Sequence, residues 1–264
     1  ANDEASLAYS FVNDTNQHLF LTGKAGTGKT TFLKNLLLNT TKKTVVVAPT
    51  GVAAINAGGS TIHSMFGLPT RAFVPTNETV DPNVANNAVM IREHFHYNKV
   101  KRDIFQSLEL LVIDEISMVR ADLFDAIDHA LRFARSSSKP FGGVQLLLIG
   151  DLMQLPPVVT EIERGLIFQH YNTEFFFSAK CFLALEMLTI ELKTIYRQSD
   201  RGFINLLNQI RSNQMESWDY ENLSERIQPD FQPDEPGWIT LTTHNKQADA
   251  INEKELAKIE AAEK

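Results

Sequence analysis

Phosphate chemistry is concentrated in the stretch FLTGKAGTGKTTFL, from Phe20 to Leu33. Gly23, four intervening residues, Gly28, Lys29 and Thr30 have the spacing of a phosphate-binding loop. Glycines at 23, 26 and 28 let successive backbone N–H groups turn inward and form a nest for anionic oxygens. Thr27 and Thr31 lie in the same loop and complete the candidate nucleotide contacts. Lys29 offers a point charge to β- and γ-phosphates, and Thr30 offers a hydroxyl to Mg²⁺. A second cluster, Asp114–Glu115, closes the apolar run Leu110–Ile113. Asp114 is suited to hold Mg²⁺, directly or through water, and Glu115 to orient and deprotonate an attacking water. Two acids after a strand are also a common solvated strand end. The presence of a phosphate loop turns them into the other half of one site, because hydrolysis of a nucleotide needs both.

These groups need rigid elements behind them. His18 to Thr22 reads as a strand entering the loop, and Thr30 to Leu38 as a helix whose N-terminus faces the phosphates. Thr44 to Ala48 is a continuous apolar run, as expected of a strand buried on both faces. Leu110 to Ile113 and Gln145 to Ile149 repeat the pattern, and Leu185 to Leu192 suggests a fifth strand. Between them, Leu7 to Val12, Met90 to Leu108 and Asp122 to Ala134 read as helices, the last with Leu123, Ile127, Ala130, Leu131 and Ala134 on one face. Strands alternating with helices predict an α/β fold with a mostly parallel sheet and ligands at the carboxyl ends of its strands. Residues from Gly67 to about Asn87 hold Pro69, Pro75 and Pro82 and little periodicity, and read as an excursion from the core. Beyond Tyr196 the composition shifts. Ser199 is placed to cap a helix, Trp238 to Thr243 reads as one more strand, and Lys246 onward as one more helix.

The 264 residues carry 43% apolar and 22% charged side chains, the balance of a globular chain with a substantial core. No apolar run approaches the ~18 residues of a membrane span, and no signal peptide is visible. The single cysteine, Cys181, excludes an internal disulfide and fits a reducing compartment. Together these predict a protein that is not secreted and works in a reducing compartment. The formal charge of −7 argues mildly against nucleic acid, although net charge says little about a local groove. A guanine-specific site would need Asn-Lys-x-Asp, and Asn245–Lys246–Gln247 is followed by Ala248 instead. The Ser-Gly-Gly-Gln signature of ABC-type ATPases is absent.

Further motifs narrow the field. Gly150–Asp151–Leu152–Met153–Gln154–Leu155–Pro156–Pro157 resembles motif III of superfamily-one helicases. Ala48–Pro49–Thr50–Gly51–Val52–Ala53–Ala54, Thr61–Ile62–His63–Ser64–Met65–Phe66, Ile116–Ser117–Met118–Val119 and Ile195–Tyr196–Arg197–Gln198 stand in the matching order. From about Leu19 to Asn245 the chain resembles the Pif-type helicases, relatives of the RecD-type DNA motors. The resemblance implies a RecA-like P-loop NTPase domain over residues 1–195, with a small inserted 1B wedge at about 67–100, then a connector and the beginning of a second RecA-like domain over 196–264. It implies an ATP-dependent DNA helicase moving 5′ to 3′ on single-stranded DNA, with Mg²⁺ as cofactor. Fork duplexes are implied as partners, DNA repair, recombination and telomere maintenance as settings, and a monomer as the working form. Gln154 resembles the glutamine that senses the γ-phosphate, and Arg197 the arginine that reaches it from the domain boundary. Pro49, Thr50, Gly51, His63 and Phe66 match segments lining the single-strand path, and Arg71 in the insert offers positive charge.

Read from the residues alone, a surface ion pair is the lesser alternative for Arg197, His63 reads as an ordinary half-buried histidine, and Phe66 is equally a core residue. Two departures from the family pattern stand out. No glutamine occupies Glu4 to Ser6, where the family's adenine reader falls, and Gln17 is too near the first strand to replace it. Motifs V and VI, with a second arginine for the nucleotide, are not among these residues. A polypeptide of these residues alone is therefore expected to be deficient in unwinding, which leaves an ATP-dependent single-strand binder as the alternative reading.

Overall fold

The computed structural model of the chain describes residues 3–196, 200–229, 231 and 237–258. Its strands are β1 (His18–Gly23), β2 (Thr44–Ala48), β3 (Ser60–Thr61), β4 (Ala72–Val74), β5 (Ala85–Asn87), β6 (Leu110–Ile113), β7 (Gln145–Gly150) and β8 (Met187–Leu192). Six of them form one parallel sheet in the order β3-β2-β6-β7-β1-β8, while β4 and β5 pair separately. The helices are α1 (Asp3–Asp14), α2 (Lys29–Asn39), α3 (Gly51–Ala57), α4 (Ile62–Phe66), α5 (Lys99–Ser107), α6 (Ala121–Arg135), α7 (Glu161–His170), α8 (Arg201–Ser212), α9 (Ser217–Ser224) and α10 (Asn245–Leu256). Among the described residues, no helix is long and apolar enough to cross a membrane.

The apolar runs become strands because both of their faces are covered. Leu110 and Val112 join Leu19, Leu21, Leu147 and Ile149 against Ala8 and Val12 of α1 and Leu33 and Leu36 of α2. Their neighbours Leu111 and Ile113 point the other way, with Leu146 and Leu148, into a larger core holding Phe66, Phe105, Phe124 and Ile127. This is the period-2 alternation of a strand with apolar residues on both sides. Register aligns the carboxyl ends of three neighbouring strands: Thr22 pairs with Gly150, and Ile113 with Leu148.

Helix α6 organises the second layer, and not only through its apolar stripe. Asp122, Asp125 and Asp128, three residues apart on the helix, are all buried. Asp122 Oδ2 accepts from the Phe73 N–H at 2.9 Å, and Asp128 Oδ1 from the Phe141 N–H at 2.6 Å. Asp125 accepts from the N–H groups of Lys180 and Cys181 and from the Tyr171 hydroxyl. Each carboxylate thus satisfies backbone N–H groups of a different segment, which is what permits those segments to be buried.

The segment expected to leave the core returns to it. Phe73, Ile91, Phe95 and Tyr97 are buried in the same cluster as the sheet's inner face. Phe73 lies 5.0 Å from the His129 ring and Phe95 5.3 Å from the Phe133 ring, both partners on α6. The expected helix from Met90 to Leu108 is interrupted: a short 3₁₀ turn at Met90–His94 gives way to α5, whose N-cap is Asn98. Phe66 needs correction as a DNA contact. It is fully buried, stacked 5.5 Å from Phe105, and its carbonyl accepts from the Tyr97 hydroxyl. Phe66→Ala is expected to cost about 3–5 kcal/mol of stability through the cavity it leaves. Urea denaturation reads this directly, and weaker strand binding at unchanged stability would contradict it.

The chain divides into two compact units, Ala1–Leu207 and Asn208–Lys264, a boundary later than the compositional shift at 195/196. Ser199 lies outside the described residues. Asp200 accepts from the N–H groups of Gly202 and Phe203 at the start of α8. The expected strand from Trp238 to Thr243 does not form, as a lone strand has no ladder to join.

Candidate functional site

The ends of β1, β6 and β7 bring the sequence motifs together. At Gly23, φ is +154°, and a Cβ there would meet Thr27 Oγ1 at 2.6 Å and the Leu192 carbonyl oxygen at 2.7 Å. No other residue fits that turn. Gly28, at φ 90°, caps α2 without a side chain, so the free N–H groups of the first helical turn face the loop. Thr27 is buried and its hydroxyl donates to the Lys24 carbonyl at 2.9 Å. Lys29 Nζ donates to the Gly23 carbonyl at 2.6 Å and the Lys24 carbonyl at 3.2 Å, folded back across the nest that phosphates would fill.

A cavity of about 310 Å³ is lined by Gly26, Gly28, Lys29, Thr30 and Thr31 on one side and by Glu115 and Gln154 on the other. Glu115 adopts φ 52° and ψ 44°, a left-handed conformation that a side chain rarely takes. Such local strain costs on the order of 1–3 kcal/mol and is found most often at functional positions. Gln154 Nε2 donates to Asp151 Oδ2 at 3.0 Å, so the buried Asp151 aims the glutamine. Gly150 lets the end of β7 pack against the segment after Glu115, since a Cβ there would lie 2.8 Å from Ile116 Cγ2.

Tyr196 was missed in the sequence, though it directly precedes Arg197. Its N–H donates to the Gly26 carbonyl at 2.8 Å, and its side chain lines both the phosphate cavity and a neighbouring one of about 650 Å³. Ser6, Tyr9 and Ser10 of α1 and Thr31 and Asn35 of α2 are among the residues lining that neighbouring space, which is large enough for a base and sugar. Gln17 is turned elsewhere, donating to the Glu186 carbonyl. Arg197 lies outside the described residues.

Asp114 is 9% exposed, and burial is the main reason its carboxyl is pushed up to about 6. The Glu115 charge adds to the rise, while a backbone hydrogen bond and the Lys29 charge oppose it. A buried carboxyl of this kind is suited to a cation, and Thr30, the expected partner ligand, is among the residues lining the phosphate cavity. A raised carboxyl value means that the folded protein takes up a proton before the unfolded chain does. In the absence of metal, ionised Asp114 therefore detracts from stability as pH rises through about 4 to 6. With Mg²⁺ the proton is a competitor. Mg²⁺-dependent nucleotide affinity is expected to fall as pH drops through about 6, and calorimetric titration across pH 5 to 8 checks this. A flat profile would remove Asp114 from the metal site.

The residues assigned to the strand lie at the neighbouring ends of β2 and β3. Pro49, Thr50, His63 and Arg71 line a separate cavity of about 240 Å³. Thr50 Oγ1 also accepts from the Ala53 N–H at 3.2 Å and caps α3, and Gly51 is the exposed first residue of that helix. Arg71 is exposed, with Nη1 donating to the Pro82 carbonyl at 2.5 Å. Under the cavity sits Arg120, unmarked in the sequence. It donates from Nε and Nη2 to Asp122 at 2.8 and 2.6 Å, and from Nη1 to Glu163 at 2.8 Å. Burial lowers the proton affinity of His63, and the Arg120 charge lowers it further against the opposing pull of Asp122.

The family model described as PIF1-like helicase matches residues 4–221. The chain is 37% identical over 196 residues to the rat ATP-dependent DNA helicase PIF1, covering 74% of this chain and 27% of that protein. The structure of a Bacteroides Pif1 helicase in complex with ADP-AlF3 and ssDNA superposes with a TM-score of 0.85 at 38% identity, over 99% of this chain and 58% of that one. A structure described as DNA unwinding at forked dsDNA by two coordinating Pif1 helicases gives the same TM-score at 39% identity, over 97% of this chain and 58% of that one. The chain thus spans about a quarter of the rat relative and a little over half of the solved chains.

Proposed function

This chain belongs to the PIF1-like helicase family, and from that premise we propose that it is the ATP-binding motor portion of a helicase that moves 5′ to 3′ along single-stranded DNA. The observation that carries this reading is the convergence of the phosphate loop, Glu115 and Gln154 on one cavity, at the same end of the sheet as the separate cavity bordered by Thr50, His63 and Arg71. When bound, Mg²⁺ would be held by Thr30 and Asp114 and would offset the charge of the phosphates. Lys29 leaves its carbonyl partners to meet the β- and γ-phosphates. Glu115 holds the attacking water and accepts its proton, and Gln154 donates a hydrogen bond toward the γ-phosphate. Arg197 is the proposed further cation for that phosphate. Tyr196 and the α1 wall enclose the base and sugar.

Translocation in this scheme needs a second RecA-like domain that closes on the nucleotide and opens after hydrolysis. Residues 196–264 are proposed to hold the connector and the beginning of that domain. An arginine acting at a phosphoryl-transfer transition state is worth about 10³–10⁵-fold in rate, so a polypeptide of these 264 residues without motif VI is expected to bind Mg·ATP but turn it over slowly. A forked duplex with a 5′ single-stranded tail is the test substrate. The polypeptide extended through motifs V and VI is expected to separate it with ATP, and the 264 residues alone are not. Failure of the extended protein on a 5′-tailed fork, with activity on a 3′-tailed one, would overturn the polarity. Failure on both would leave an ATP-dependent strand binder.

A further inference from the structure

We propose that the cavity beside Thr50 and His63 takes a single nucleobase of the bound strand, unstacked from its neighbours, while the attached phosphate stays at the mouth near Arg71. The proposal rests on the strand-binding reading above and adds to it how the strand is held.

Size and wall chemistry point the same way. At about 240 Å³ the space is below the roughly 300–1,000 Å³ of pockets for drug-sized ligands, so it suits one ring system and not a whole nucleotide. Leu68, Phe73, Ile91, Met118 and Ala126 give it apolar walls. The polar groups on the rim, Thr50, Thr70 and His63, are hydroxyls and an imidazole that can serve either donors or acceptors on a base edge. Asn86, also in the wall and 3% exposed, has a buried Nδ2 without a hydrogen-bond partner, so hydrogen-bonding capacity remains unspent there.

The charges decide between a base and a phosphate. Arg120 is engaged by two carboxylates, and Asp122 accepts from the Phe73 N–H as well as from Arg120. One guanidinium thus faces two carboxylates, and the cluster has no positive charge to spare. Burial and the same arginine lower the proton affinity of His63, against the opposing pull of Asp122. The inner walls thus hold no uncommitted cation, and a phosphate drawn inside would be buried without compensation. A neutral aromatic ring meets no such penalty. Arg71, exposed at the rim, supplies charge where the backbone would pass.

The test is a set of labelled thymidine hexamers, short enough to limit sliding, with one base at a time replaced by an abasic sugar. Binding to the 264-residue protein is followed by fluorescence anisotropy. At one position the abasic sugar is expected to weaken binding about 5- to 100-fold, the scale of one stacked base. The ratio should persist as salt is raised, because base burial releases no counterions. Ala126→Leu, which fills the cavity, is expected to weaken the intact hexamer by a similar factor and to erase the dependence on that position, with Mg·nucleotide affinity unchanged. Leu123→Phe, which fills the same space from a partly buried position, carries the same expectation if Ala126→Leu does not fold. Wild-type binding equally sensitive at every position overturns the proposal, as do folded variants that retain the position dependence. Absence of binding to any hexamer overturns the strand-binding reading together with it.

Discussion

Lys29→Ala is expected to abolish nearly all nucleotide turnover and most affinity for Mg·ATP. The ammonium now donates to the Gly23 and Lys24 carbonyls, and it sits where β- and γ-phosphates would displace those contacts. Charge-assisted hydrogen bonds contribute about 1.5–3 kcal/mol, so affinity should fall about 10- to 100-fold. Turnover should fall by a further factor of about 10²–10³, the scale for removing one donor to developing transition-state charge. The side chain supports no core, so the melting temperature of the protein without nucleotide should stay close to that of the wild type. Unchanged ATP binding in a folded Lys29→Ala protein would remove the loop from the phosphate site.

Glu115→Gln is expected to separate binding from chemistry. The amide keeps the carboxylate's size and reach and imposes no new backbone demand at φ 52°. What it loses is the ability to accept a proton. Hydrolysis should fall about 10²–10⁴-fold, the usual contribution of general base catalysis, while Mg·ATP still binds. Parallel titration and single-turnover measurements read both quantities. Loss of both together would make Glu115 a metal ligand or a structural residue.

The parts of this site that were legible in the sequence are those that local backbone geometry encodes. Gly23 must be glycine because of the turn it makes against Thr27 and Leu192, so its spacing to Gly28 and Lys29 is a readable constraint. Leu110 to Ile113 are buried on both faces, so an unbroken apolar run ending at Asp114–Glu115 marks a central strand and its functional end. What tertiary contact decides was not legible. Phe66 follows a histidine at the strand face, yet Phe105 and Tyr97 close over it. The prolines of the 67–87 stretch suggested an excursion, whereas Phe73 anchors it on α6 through its ring and through its N–H to Asp122. Arg120 and Glu163 are 43 positions apart, and no pattern in the chain announces their contact. The space beside Ser6, Tyr9 and Tyr196 is likewise built from both ends of the first unit. Trp238 to Thr243 has strand-like composition but no partner strand among the described residues, and composition alone does not make a ladder.

The central claim is that one end of one sheet holds a nucleoside triphosphate and a single DNA strand side by side. Its most direct test is the affinity of a labelled single-stranded oligonucleotide for the 264-residue Glu115→Gln protein saturated with Mg·ATP, followed over a series of salt concentrations. The expected result is saturable binding at low salt, with log K falling linearly against log salt as a few phosphates are released, and weaker binding by His63→Ala at unchanged nucleotide affinity. Tight Mg·ATP binding with no affinity for the strand at any salt would contradict the claim and leave a P-loop ATPase whose partner is something other than DNA.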